Sequence, residues 1–289
     1  MCDDDIHQGL TPDVAVTRRT LGVSAAAAAA LAAASAHAAA VEVAEKDVAV
    51  KTPDGTCDAV LFTPAGKGPY PGVLIWTDIL GLRPVFREMG KRLASSGYVV
   101  LTPNPFYRSA KAPVVDAGFN FSDPAQRKKV FDMRGAMTWD GIDKDIVAYT
   151  GYLQAAPKVN RKVKLGVQGY CMGGPLMMRT AATAADRIGA GASFHGGTLV
   201  TKDANSPHLW VPKMKGQFYI AEADNDDKSN PEAKTIVQSA FEAAHVPARL
   251  EVYAGAMHGW CVPGSQVYNA PAAEKAWGEL LALYGKALA

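Results

Sequence analysis

From about residue 46 onward, short apolar runs alternate with stretches of helical spacing. The runs predict strands over Val48–Lys51, Asp58–Thr63, Gly72–Trp76, Tyr98–Thr102, Val163–Gln168, Gly191–Phe194, Gln217–Ala221 and Arg249–Tyr253. Many are continuous rather than alternating, the pattern of strands covered on both faces. Helical spacing predicts helices over Arg83–Ser96, Trp139–Ala155, Gly173–Arg187, Ala233–Ala244 and Ala272–Ala287. In the last, Ala273, Trp277, Leu280, Leu281 and Tyr284 form one apolar face. Strand–helix alternation predicts an α/β fold, with a mostly parallel sheet of about eight strands and helices on both sides. The stretch Asn104–Arg134 carries Pro105, Pro113 and Pro124 and little periodicity, so it is expected as an excursion over the sheet edge. No internal repeat and no linker divides residues 39–289, which are expected to form a single domain.

The first 38 residues follow a different pattern. Arg18 and Arg19 directly precede an alanine-rich apolar stretch that closes on Ala36-His37-Ala38, a small-x-small cleavage pattern. This is the form of a twin-arginine export signal, and it places the mature chain, from near Ala39, in the periplasm or outside the cell. The alternative is an alanine-rich helix that stays attached in a cytoplasmic protein. Asp3, Asp4, Asp5 and Asp13 make the leading segment acidic, against the basic rule for signal starts; a downstream translation start would remove the conflict. Alanine dominance makes the stretch too weakly apolar for a membrane anchor, so no membrane partner is expected of the mature form.

Composition adds exclusions. A net charge of +2, with 30 basic and 28 acidic residues, predicts no nucleic-acid partner. The four cysteines, Cys2, Cys57, Cys171 and Cys261, form no C-x-x-C pair, which argues against a zinc site and against thiol–disulfide exchange. A Cys57–Cys261 bridge is open in an oxidising compartment. No cofactor or metal is expected, and the chain is expected as a monomer or small homo-oligomer.

The chemistry concentrates on "LGVQGYCMGG", residues 165–174. Gly169-Tyr170-Cys171-Met172-Gly173 has the form G-x-nucleophile-x-G, in which a strand turns directly into a helix and displays the central residue. The helix N-terminus behind it carries free N–H groups and partial positive charge, which favour a thiolate and an oxyanion. Taken alone, the pattern leaves an inert buried cysteine as an equal reading. Partners change the balance. A thiol acyl-transfer site needs a base and an acid to orient it. "GQFYIAEADNDD" is a strand running into a polar turn with Asp224 just past its end, and "LEVYAGAMHGW" is a strand followed by a glycine-framed loop holding His258. The order Cys171, Asp224, His258 leaves room for one helical crossover between each pair, and puts all three at the C-terminal edge of a parallel sheet. Asp226 is the second choice for the acid, with Glu222 and Asp227 read as solvated turn carboxylates. His208 and His245 lack the glycine setting. His195, in "SFHGG", is read as structural, with a pocket-lining role as its alternative.

With these residues in hand, the chain resembles the dienelactone hydrolase family of α/β-hydrolases over roughly residues 45–288, through "GYCMGG", "AEADNDD", "YAGAMHGW" and "PGVLIWTDILGLRP". The resemblance implies an α/β-hydrolase fold and cofactor-free hydrolysis of a small carboxylic ester or enol-lactone. It implies that Cys171 attacks the carbonyl, His258 handles the proton and Asp224 orients His258. It also implies an oxyanion hole made by the backbone N–H groups of Met172 and Ile79. The family's thiol-gating carboxylate falls at Asp78, one methylene shorter than the usual glutamate. Of the two arginines that dienelactone specialists use for the substrate carboxylate, the one after the histidine has no counterpart in "HGWCVPGS". The other has Arg127 as a counterpart, with a lone surface arginine as the alternative. A substrate pocket near Trp260, Tyr170 and Phe106 would suit a neutral or aromatic ester. The rival reading from another class is a non-catalytic small-molecule binding protein on the same fold.

Overall fold

A computed structural model of the protein describes residues 41–289. The expected export segment, residues 1–38, lies outside the described residues. The chain builds one eight-stranded sheet in the order β1-β2-β4-β3-β5-β6-β7-β8. The strands are β1 (Val43–Thr52), β2 (Gly55–Pro64), β3 (Gly72–Trp76), β4 (Val99–Pro103), β5 (Leu165–Tyr170), β6 (Ile188–Phe194), β7 (Gln217–Ala223) and β8 (Ala248–Tyr253). β1 and β2 form an antiparallel hairpin, and β2 joins β4 antiparallel. From β4 through β8 every pairing is parallel. The helices are α1 (Pro84–Ser95), α2 (Pro124–Gly135), α3 (Trp139–Ala155), α4 (Gly173–Thr183), α5 (Asp224–Ser229), α6 (Ala233–Ala243) and α7 (Ala270–Ala287), with a 3₁₀ helix over Pro207–Lys213 between β6 and β7.

Each face of the sheet carries its own core. One contains Leu93 of α1 and Leu280 and Tyr284 of α7; the other contains Ile146 and Tyr149 of α3, Leu176 of α4 and Phe241 of α6. The continuous apolar runs of β3 and β5 follow from this, since every residue of those strands is buried. The expected strands and helices are all present. β1 extends further than its apolar run, because hairpin pairing with β2 stabilises positions that face solvent. α2 departs from expectation: it lies inside the excursion, capped by the Asp123 side chain and opened by Pro124, with only Val130 and Met133 buried. So few apolar positions leave a helical period too faint to read.

Cys57 and Cys261 belong to cores on opposite faces of the sheet, and both thiols are free. The bridge considered from sequence is therefore absent; the sheet stands between the two sulfurs.

Candidate active site

β5 enters the elbow fully buried, and the turn that follows is set by close backbone approach. A Cβ on Gly169 would lie 1.8 Å from the Gly173 carbonyl oxygen, and one on Gly173 would lie 2.5 Å from the Trp76 carbonyl oxygen. Only glycine fits at either place. The second contact also presses the start of α4 against the end of β3, so the residues after Trp76 border the elbow. Cys171 takes φ of 52°, the left-handed region, at a cost of about 1–2 kcal/mol for a residue with a Cβ. The strained turn is held by hydrogen bonds from Cys171 N–H to the Phe194 carbonyl (3.1 Å) and from Gly174 N–H to the Cys171 carbonyl (2.9 Å). The result is a half-buried thiol at the head of α4.

His258 arrives on the loop after β8 and is buried. Its Nδ1 lies 2.7 Å from Asp226 Oδ2, and its backbone N–H donates to Asn225 Oδ1 at 2.7 Å. Asp224, the expected orienting acid, does not take part. Its carboxylate accepts from Lys228 Nζ at 2.6 Å, an i,i+4 pair, and this bond holds its pKa below the ordinary value. The reason is local. The polar turn after β7 is the helix α5, and two residues along a helix rotate a side chain by about 200°. Asp226 therefore points inward when Asp224 points out. The sequence contained the right residue as its second choice but carried no apolar period from which to recognise a six-residue helix. Asn225, not anticipated at all, ties the acid turn to the histidine loop, together with the bond from Asp224 N–H to the Ala256 carbonyl at 2.8 Å.

Burial disfavours a charge on His258, but the neighbouring Cys171 sulfur and the Asp226 carboxylate outweigh it and push the imidazole up to about 10. Cys171, His258 and Asp226 thus form one electrostatic unit. His195 follows β6 with φ of 38°, its ring 5.0 Å from that of His258 in an edge-to-face arrangement. Burial, and then the charge on His258, hold His195 well below its ordinary pKa, so it stays neutral. Its Nδ1 meets Cys261 Sγ at 3.2 Å. Among the described residues, the backbone N–H groups of Met172 and Ile79 donate to no protein acceptor.

The other expected site residues divide. Asp78, expected to face the thiol, is fully buried and forms a bidentate ion pair with Arg83, at 2.6 and 2.9 Å. One methylene shorter than glutamate, its carboxylate folds back on its own turn. Tyr170 lies on the far face from Cys171. Its hydroxyl accepts from Gln168 Nε2 at 2.8 Å, and Gln168 in turn accepts from Tyr284 of α7. There Tyr170 lines a cavity of about 110 Å³ with Arg92, Cys261 and Trp277. Strand alternation contains this outcome, since Gln168 and Tyr170 share a face. Trp260 is buried in the same core, stacked on Tyr253 at 4.3 Å. Phe106 is close to the elbow side: a Cβ on Gly81, in the turn after Asp78, would lie 3.2 Å from its ring. Arg127 is half-buried on α2, in the excursion.

A parallel sheet crossed on both faces, with a strained strand–helix elbow carrying Cys171 and a histidine–carboxylate pair at its C-terminal edge, defines an α/β-hydrolase. The dienelactone hydrolase family profile matches residues 57–288. The chain belongs to that family, whose members are hydrolases of ester or lactone type. Among relatives, a protein of Synechocystis assigned as a carboxymethylenebutenolidase is 28% identical over 228 residues, covering 78% of this chain and 89% of its own. A carboxymethylenebutenolidase from a Pseudomonas species is 30% identical over 191 residues, covering 65% of this chain and 74% of its own. A Klebsiella pneumoniae protein assigned as a dienelactone hydrolase matches the fold with a TM-score of 0.73 at 19% identity, over 85% of this chain and 99% of its own.

Proposed function

We propose that the protein is a cysteine-dependent hydrolase of small carboxylic esters or lactones, acting through an acyl-enzyme on Cys171. The observation that carries the reading is the half-buried Cys171 at the elbow beside His258, itself held by Asp226 at 2.7 Å. The Cys171 sulfur attacks the carbonyl carbon as the thiolate of an ion pair with the His258 imidazolium. A carbon–sulfur bond forms, and the carbonyl electron pair moves onto oxygen, facing the N–H groups of Met172 and Ile79. The C–O bond to the leaving alcohol then breaks, and His258 supplies its proton. A water next gives its proton to His258 and attacks the thioester carbon. Cys171 leaves as thiolate, and the carboxylic acid is released. Asp226 keeps the imidazole in the orientation that presents Nε2 to the sulfur.

The substrate class follows from an incomplete arginine pair, in which Arg127 is the counterpart of one member and the other is missing. Arg83 is committed to Asp78, and "HGWCVPGS" supplies no cation after His258. The preferred substrate is therefore a neutral or aromatic ester rather than a dienelactone carboxylate. A panel of p-nitrophenyl esters, aromatic lactones and dienelactone, run with wild type and Cys171→Ala, tests both statements. Turnover should vanish in Cys171→Ala with the fold intact, and dienelactone should be the poorest substrate. Unchanged turnover in Cys171→Ala overturns the reading, and no turnover by the wild type on any member of the panel leaves the binding role.

We also infer export by the twin-arginine route from the sequence of residues 1–38. Mass spectrometry of the native protein's N-terminus tests this; a cellular chain that retains residue 1 overturns it.

A further inference from the structure

The turn after β3 is more heavily fastened than its four residues require. Asp78 Oδ1 accepts from Leu80 N–H at 2.9 Å and from Arg83 Nη1 at 2.6 Å, and Oδ2 accepts from Arg83 Nη2 at 2.9 Å. Arg83 Nη1 also donates to the Gly81 carbonyl at 3.3 Å, and Gly81 N–H donates to the Asp78 carbonyl at 3.0 Å. Arg83 is 8% exposed, at the N-terminal boundary of α1, with its guanidinium over the Phe86 ring at 5.1 Å. The N–H groups of Leu80 and Gly81 are thus turned inward onto Asp78. Among the described residues, the N–H between them and Asp78, that of Ile79, has no protein acceptor.

We propose that Asp78 and Arg83 are positioning residues that hold the Ile79 N–H ready for the oxyanion, rather than a gate over the thiol. The inference rests on the acyl-transfer reading of Cys171. Two physical effects converge. First, the bidentate pair and the Leu80 bond fix the peptide planes of the turn, so the Ile79 donor needs no reorganisation when negative charge develops on the substrate. Second, Arg83 cancels the charge of a buried carboxylate one residue away from that donor. An unpaired Asp78 anion there would repel the oxyanion it is meant to help form. Both carboxylate oxygens of Asp78 are already engaged within its own turn and helix, so direct contact with the Cys171 sulfur is not what the carboxylate serves.

The two roles separate experimentally, because alkylation of a thiolate by iodoacetamide passes through no oxyanion, whereas acylation by p-nitrophenyl acetate does. In full-length protein, the acylation burst should fall about 10- to 100-fold in Arg83→Met, with little change in the concentration giving half-maximal burst. The alkylation rate of Cys171 should stay within about twofold of wild type. Adding Asp78→Asn to Arg83→Met should recover part of the acylation rate by removing the stranded charge. Arg83→Lys, which keeps the charge but not the fork, should show an intermediate acylation loss, and it carries the test if Arg83→Met does not fold. Acylation at the wild-type rate in these variants overturns the proposal. A parallel loss of acylation and alkylation in folded variants also overturns it, and restores gating by the freed carboxylate. If wild-type Cys171 is alkylated but never acylated, it is the acyl-transfer reading that fails, and this inference with it.

Discussion

Asp226 and Asp224 sit two residues apart on one short helix, yet only one carboxylate reaches His258, so a paired substitution measures what that contact contributes. Asp226→Asn keeps the volume and replaces the accepting Oδ2, 2.7 Å from His258 Nδ1, with a group that no longer carries charge. A hydrogen bond to a charged partner contributes about 1.5–3 kcal/mol. Because the imidazole is buried, the charge it bears in the transition state loses most of that stabilisation. At 1.36 kcal/mol per tenfold, this alone is roughly 10- to 100-fold in rate. An asparagine that donates its N–H to Nδ1 would also impose the wrong tautomer, deepening the loss toward about 10⁴-fold. Asp224→Asn removes an i,i+4 pair with Lys228, whose side chain is 72% exposed. Such pairs contribute about 0.3–0.5 kcal/mol, so activity should stay within about twofold. The assay is the pre-steady-state burst and steady-state turnover of p-nitrophenyl acetate near pH 7.5, with urea unfolding of each variant to exclude misfolding. Equal losses in the two variants, or a larger loss in Asp224→Asn, would refute the assignment of Asp226.

Other outcomes follow from the same geometry. The raised His258 pKa contributes stability that is fully present below its unfolded value near 6.5 and is lost as pH rises through about 10. Urea midpoints from pH 6 to 11 should show that loss, and Cys171→Ala should move it to lower pH by removing one of the two groups that hold the proton. Burial, and then the charges of Asp227 and Asp226, raise Glu222 from 4.5 to about 7. The unfolded chain therefore ionises first, and Glu222 costs stability that grows between those two values. Glu222→Gln should flatten that part of the pH–stability curve and gain on the order of 2 kcal/mol at pH 8. Gly173→Ala should cost more than about 3 kcal/mol or prevent folding, because the strand and helix cannot both keep their places. Gly285→Ala, on the exposed side of α7 with nothing near its Cβ, should instead stabilise by about 0.5–1 kcal/mol in the same urea titration.

How far the site can be read from sequence depends on what holds each residue. Cys171 and His258 are framed by glycines and each follows a strand, so both local context and topology place them at one sheet edge. Ile79 comes only from the resemblance to the dienelactone hydrolases, through "WTDILG". Asp226 does not follow in the same way: which of several neighbouring carboxylates faces inward depends on the helical phase of α5, and a six-residue polar helix writes no period into the sequence. Arg83 was hidden for a similar reason, because a five-residue separation from Asp78 means nothing until the turn brings the two together. Tyr170 lies away from the pocket expected of it, because the residue next to Cys171 in sequence faces the opposite side of the sheet.

By itself the sequence determined the alternation of strand and helix, the parallel order that gathers strand ends at one edge, and the glycines without which the elbow cannot close. These are properties of period and steric size, which short segments carry alone. The tertiary structure decided which acid meets the histidine, that the carboxylate at Asp78 answers to Arg83 rather than to the thiol, and that two buried cysteines stay apart. Those outcomes turn on charges and directions a few ångströms apart, set only when distant turns are packed against one another.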